Sequence, residues 1–279
     1  MQLDQNRIVI RERVFVDVLD LALRVIRQDA WPLAVALVAG VVPVMCLNAW
    51  LLADVAQEVE EIPLGSGIVI EVPFGYMWCT LLLVIWEAPL ATAPITLVLG
   101  QVLFAERPRS GQAAADYFKS LPQMFWYQVV LRAVFVPWVV TWPVLFGGWP
   151  YLSEVILLER NPMRRGRRNR MTTHRRAAVL HGRNVAELFV RWMGSVALGV
   201  LLFLSLWLSI WITGGMLLNE WAWGGPVYTV CFPLALWLVV GYFAVVRFLG
   251  YLDLRIRREG WEVELMLRAE GARLTRQLT

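Results

Sequence analysis

Glu87 stands inside the apolar run LLLVIWEAPLATAP, which extends from Leu81 to Pro94. An acid at mid-bilayer depth is costly unless it is paired or protonated, and it marks a functional site by default. Pro89 and Pro94 free backbone carbonyls one turn earlier, and such carbonyls can line a polar cavity. Two chemistries fit: a proton or ligand site with Arg132 or Arg247 as counter-charge, or a buried ion pair or neutral acid that only fixes helix packing. Thr80, Thr92, Thr96 and Gln101 lie in the same segment. Arg132 falls within another apolar segment, placed to snorkel toward headgroups or to pair inward. Arg247, followed by Tyr251 and Asp253, reads as an interfacial anchor. Glu154 is the better candidate for the buried partner of an arginine. Glu87, Arg132, Glu154 and Arg247 are therefore the candidates for an intramembrane polar site.

Other reactive residue types do not assemble into a recognisable set. His174 and His181 lie two helical turns apart, too far to share one metal without other ligands, and neighbouring arginines repel cations. A solvated helix face is the expectation for both. Cys46, Cys79 and Cys231 all lie in apolar stretches, where they act as small hydrophobes. No nucleophile elbow, triad setting or glycine-rich phosphate loop is present. The reading is non-enzymatic, with no catalytic residue, no metal and no cofactor assigned.

The 26 basic residues are 25 arginines and Lys119, and they are clustered. The densest block is NPMRRGRRNRMTTHRR, from Asn161 to Arg176. Arg164, Arg165, Arg167, Arg168, Arg170, Arg175 and Arg176 are its candidates for binding lipid headgroups or a partner. Each basic residue near an anionic surface contributes about 1 kcal/mol. No nucleic-acid-binding signature accompanies the charge, so the expected partners are anionic membrane lipids, with a protein at the cytoplasmic face as a further possibility. Oligomeric state is not legible.

The elements that must position these residues follow from hydropathy. With 279 residues, 58% hydrophobic content and a net charge of +4, at a mean hydropathy of +0.57, the chain is too apolar for an ordinary soluble domain. The first 30 residues hold five arginines and five acids with no uninterrupted apolar core, so they do not read as a cleavable signal peptide. Four stretches exceed the ~20 residues that a membrane crossing needs: 31–53, 77–104, 192–218 and 227–254. Met124 to Leu158 is long for one helix and short for two. If it crosses twice, as spans 124–141 and 143–158 turning at Gly147 and Gly148, then 24 of the 26 basic residues share one side. The other side holds only acids, among them Asp54, Glu58, Glu71 and Glu220. The positive-inside rule then predicts six spans in a bacterial cytoplasmic (inner) membrane with both termini in the cytoplasm. Many of the fifteen tryptophans sit at the ends of apolar runs, as an interfacial belt does.

Three segments that precede spans are alike in mixing apolar and charged residues at helical spacing: 17–29, 111–123 and 174–186. The expected fold is therefore all-α, a polytopic bundle of about six spans in three elbow-span-span repeats over residues 1–254. An amphipathic C-terminal helix, 255–279, lies in the cytoplasm. A short β-like alternation, GIVIEV (Gly67 to Val72), reads as a small hairpin on the outer side. The stretch YLSEVILLERN (Tyr151 to Asn161) followed by RRAAVLHGRNVAELFVRW (Arg175 to Trp192) resembles six-helix bacterial membrane domains. These stand alone as uncharacterised proteins or are fused ahead of the catalytic part of some glycerophosphodiester phosphodiesterases. The ending YLDLRIRREGWEVELMLRAE (Tyr251 to Glu270) is similar to that of several stand-alone members. The resemblance implies the architecture and no catalytic activity, since no soluble phosphodiesterase domain is present. Function is expected to be a non-enzymatic scaffold, partner-recruiting or lipid-organising role, the alternative being a transporter or channel using Glu87 and Arg132.

Overall fold

A computed structural model describes residues 14–60, 73–104, 110–130, 149–163, 171–182, 185–219 and 225–259. Every regular element among them is helical. The segments Ala30–Leu51, Phe74–Leu103, Val185–Leu217 and Val227–Arg258 are long and apolar enough to cross a membrane. A helix satisfies its own backbone where no water can, so such runs fold as helices in lipid, and the chain fits a membrane-embedded protein. At 33 and 32 residues the last two exceed the ~30 Å hydrocarbon core. Their arginine-bearing ends therefore project beyond it.

The first helices are α1 (Phe15–Gln28), α2 (Ala30–Leu51) and α3 (Ala53–Glu60). Helix α1 buries Val18, Ala22 and Val25, one helical face, while Asp20 and Arg24 form an exposed pair on another. The second apolar run is divided into α4 (Phe74–Ala91) and α5 (Ala93–Phe104). The break is at Thr92, where Pro94 supplies no N–H to continue the ladder. The Thr92 hydroxyl donates to the Ala88 carbonyl at 2.7 Å, an oxygen that also accepts from the Thr92 N–H at 3.0 Å. Helix α2 crosses α4 at this break through Gly40. A Cβ at Gly40 would stand 1.9 Å from the Ala91 carbonyl oxygen, so only glycine permits that approach.

Helix α6 (Ser110–Met124) continues into a π-helical turn, Phe125–Val130. The indole N–H of Trp86 donates to the carbonyl of Val129 in that turn at 3.0 Å. Helix α7 (Leu152–Glu154) likewise runs into a π-helical turn, Val155–Glu159, which ends where Arg160 adopts a left-handed φ of 50°. Helix α8 (Thr173–His181) ends before Gly182, and α9 (Val185–Leu218) follows as one 34-residue helix. Within the segment 174–186, α8 ends at His181, and Val185 and Ala186 belong to α9. A π-helical turn, Val227–Cys231, leads into α10 (Phe232–Glu259).

Helix α10 is the centre of the bundle, packing against α1, α4, α5 and α9. Trp237, Phe248 and Tyr251 are among its fully buried side chains. Helix α9 is the opposite case. No residue from Phe189 to Gly214 is buried, so most of its surface is left uncovered by the other described elements. The hairpin turn around Gly147, the outer alternation at Gly67 to Val72 and the tail beyond Glu259 lie outside the described residues.

Candidate functional site

The arginines and acids meet at one end of the bundle. Glu154, fully buried, takes a hydrogen bond from Arg247 Nε at 2.6 Å. Arg247 also donates to the Thr92 hydroxyl at 3.2 Å. Glu154 and Arg247 were separate candidates by sequence, and the fold makes them partners. Arg247, expected as an interfacial anchor, is bound by a carboxylate on α7. Arg247 is not the counter-charge of Glu87, since the carboxylate it pairs with is that of Glu154. Arg132 lies outside the described residues.

Glu159 is a second hub. Arg176 grips it with Nε at 2.6 Å and a terminal nitrogen at 2.9 Å, the forked geometry that favours arginine over lysine. The Tyr251 hydroxyl donates to it at 2.8 Å, and the Asn161 amide at 3.0 Å. Arg176, expected among the headgroup-binding residues, is thus turned toward the bundle, while Arg175 remains exposed. Arg164, Arg165, Arg167, Arg168 and Arg170 lie outside the described residues. The two ends of their loop are nonetheless pinned together. The Thr173 N–H donates to the Pro162 carbonyl at 3.2 Å, and the Thr173 hydroxyl to the Asn161 carbonyl at 2.9 Å. The Gln123 amide binds both the Asn161 carbonyl, at 3.2 Å, and the Thr173 hydroxyl, at 2.6 Å.

A third group joins α9 to α10. Asp253 accepts from Arg191 at 3.0 Å and from Arg257 at 3.1 Å, while Glu187 accepts from the same two arginines. Sequence reasoning singled out none of these four. The available signal was the four-residue spacing of Glu187 with Arg191 and of Asp253 with Arg257, which marks intrahelical pairs but not the links between helices.

His181 overturns the expectation of a solvated face. It is buried, its Nδ1 donates to the Ala177 carbonyl at 2.7 Å, and its Nε2 accepts from the Tyr151 N–H at 3.3 Å. Its ring stacks on Tyr151. These bonds require the neutral ring, and burial first, then the charge of Arg258, lower its pKa below the ordinary 6.5 against the opposing Ala177 bond. His174 is exposed, with its ring edge-on to Trp149. At Glu159 burial acts to raise the pKa, but the bonds from Arg176 and Tyr251 and the charges of Arg176 and Arg255 outweigh it, and the carboxyl lies below its ordinary 4.5.

Both shifts act in one direction. Below pH 6.5 the unfolded chain protonates His181 before the folded one does, and below 4.5 the same holds for Glu159, so stability is full above these values and falls with pH. The thermal midpoint of the detergent-solubilised protein is expected to hold steady above neutrality and to decline from pH 7 toward pH 4. His181→Asn is expected to flatten the upper part of that decline. A wild-type midpoint unchanged down to pH 5 would contradict the buried neutral histidine.

Beside this network lies a cavity of about 930 Å³ between α4, α9 and α10. Apolar side chains line most of it, Met77, Leu81, Phe203, Leu236 and Phe243 among them. At the network end the lining changes to Thr92, Ser153, Arg191, Ser195 and Arg247. Glu87 does not line it. Among the described residues, no group of three or more His, Cys, Asp or Glu side chains is placed to hold a metal. No protein family, curated protein or solved structure matches the chain.

Proposed function

We propose that this chain is a non-enzymatic, lipid-organising component of a bacterial cytoplasmic membrane. It crosses six times with both termini inside, and a protein partner docks at the same basic face. The observation that carries the reading is the pinned loop. Thr173 and Gln123 tie down both ends of the segment that holds Arg164, Arg165, Arg167, Arg168 and Arg170, and Arg176 on Glu159 fastens the helix that follows. Five cations in the segment between those two fixed ends would attract anionic lipid headgroups. The resemblance of residues 151–161 and 175–192 to six-helix membrane domains agrees with this architecture. The charge count supports a cytoplasmic position for the same loop.

The five loop arginines are each worth about 1 kcal/mol toward an anionic surface. Replacing all five with glutamine is expected to bring the lipids co-extracted with the protein in polymer nanodiscs close to the composition of the bulk membrane. The wild type should instead be enriched in anionic species. Equal lipid composition around both proteins would sink the reading.

A further inference from the structure

We propose that the cavity between α4, α9 and α10 binds one phospholipid with an anionic headgroup, its phosphate against Arg247 and Arg191 and an acyl chain in the apolar part. The inference deepens the lipid reading above and rests on it for the surroundings of the protein, but it concerns a stoichiometric site distinct from the loop.

Shape and depth both indicate a lipid. Along α4 the lining extends from Phe74 to Thr92, about 27 Å at ~1.5 Å per residue, close to the ~30 Å hydrocarbon thickness. A water-soluble ligand would leave most of that apolar wall uncovered. The polar lining is confined to one end, at headgroup depth. Val227, where the last apolar run begins, and Arg247 are about 30 Å apart along the helix. Helix α9 forms the outer wall with no buried residue from Phe189 to Gly214, so an acyl chain can pass into the cavity sideways from the bilayer.

Charge complementarity sets the headgroup. None of the acids that pair with these arginines is part of the lining: Glu154 is fully buried, the Asp253 side chain is 2% exposed, and Glu187, 39% exposed, pairs with Arg191 outside the cavity. What faces the cavity is guanidinium and hydroxyl. Glu154 and Thr92 occupy two of the five N–H donors of Arg247, and its side chain keeps 24% of its surface accessible. A zwitterionic choline or ethanolamine head would bring a cation to this cationic end. A head with net negative charge would not.

The test is native mass spectrometry of the full-length protein titrated with phosphatidylglycerol or phosphatidylcholine of the same acyl chains. The wild type is expected to hold one phosphatidylglycerol at least about tenfold more tightly than phosphatidylcholine. Val196 and Val200 line the cavity and are exposed rather than packed, so the variant V196W/V200W fills it without disturbing the core. It is expected to lose the single lipid while eluting from a sizing column as the wild type does. Arg247→Lys keeps the charge but not the fork and is expected to weaken binding. The five-glutamine loop variant should retain the single bound lipid, so failure of the loop reading leaves this site standing and is separately visible. Equal affinity for the two lipids, undiminished binding by V196W/V200W, or complete displacement by millimolar inorganic phosphate would each overturn the proposal.

Discussion

Arg247→Ala is expected to cost about 3–5 kcal/mol, because it strands the fully buried carboxylate of Glu154 without its cation. Glu154 has one oxygen in the ion pair and the other without a hydrogen-bond partner. Removing Arg247 therefore leaves the group with nothing to offset its desolvation. The double variant R247A/E154L removes both charges and is expected to recover most of the loss, since a buried pair exchanged for apolar side chains is often neutral or stabilising. Thermal unfolding of the four proteins of this cycle in one detergent checks the claim. If the double variant is no more stable than R247A, the pair is not the source of the effect.

The second large effect lies at Gly40. There the obstacle is a backbone oxygen, held by the break between α4 and α5, and not the movable end of a side chain. Gly40→Ala is expected to cost about 3 kcal/mol, the upper end for overpacking, and Gly40→Leu is expected to prevent α2 from seating on the break. Gly75, with nothing within reach of an added Cβ, is the control: Gly75→Ala should leave the thermal midpoint nearly unchanged. Equal midpoints for Gly40→Ala and Gly75→Ala would show that the crossing gives way.

The apolar helices are visible in the sequence because a membrane crossing demands an unbroken run of about 20 residues, which little else in a chain produces. The need of Glu154 for an arginine is visible for a related reason: a carboxylate in apolar surroundings must find a cation. Which arginine it finds is not, since Arg247 is 93 residues away and nothing in periodicity reports contacts at that distance. The same holds for Glu159, which reads as the polar end of an apolar run and proves to collect Arg176, Tyr251 and Asn161 from three parts of the chain. His181 misleads for a different reason. Its neighbours Gly182, Arg183 and Asn184 are polar, but its own direction is set by the Ala177 carbonyl four residues earlier and by the Tyr151 ring. Helix phase, rather than local composition, decided its burial. The cavity left no trace in the sequence, because its walls are ordinary membrane-helix residues. Only the placement of α9 keeps them apart.

That placement divides the two longest helices by how much their sequences are free to vary. Helix α10 has neighbours on several sides, and a change of volume at Trp237 or Phe248 must be absorbed by the elements around it. Helix α9 is fastened at two places. Glu187 and Arg191 hold its start, and about two-thirds of the way along the indole of Trp207, bonded to the Val227 carbonyl at 3.2 Å, makes the second fastening. Between those fastenings its outward positions need only be apolar, so one leucine can replace another residue of similar hydropathy without a compensating change elsewhere. The fold thus joins a wall that can drift to a centre that cannot, and the contents of the cleft between them can change through the wall alone.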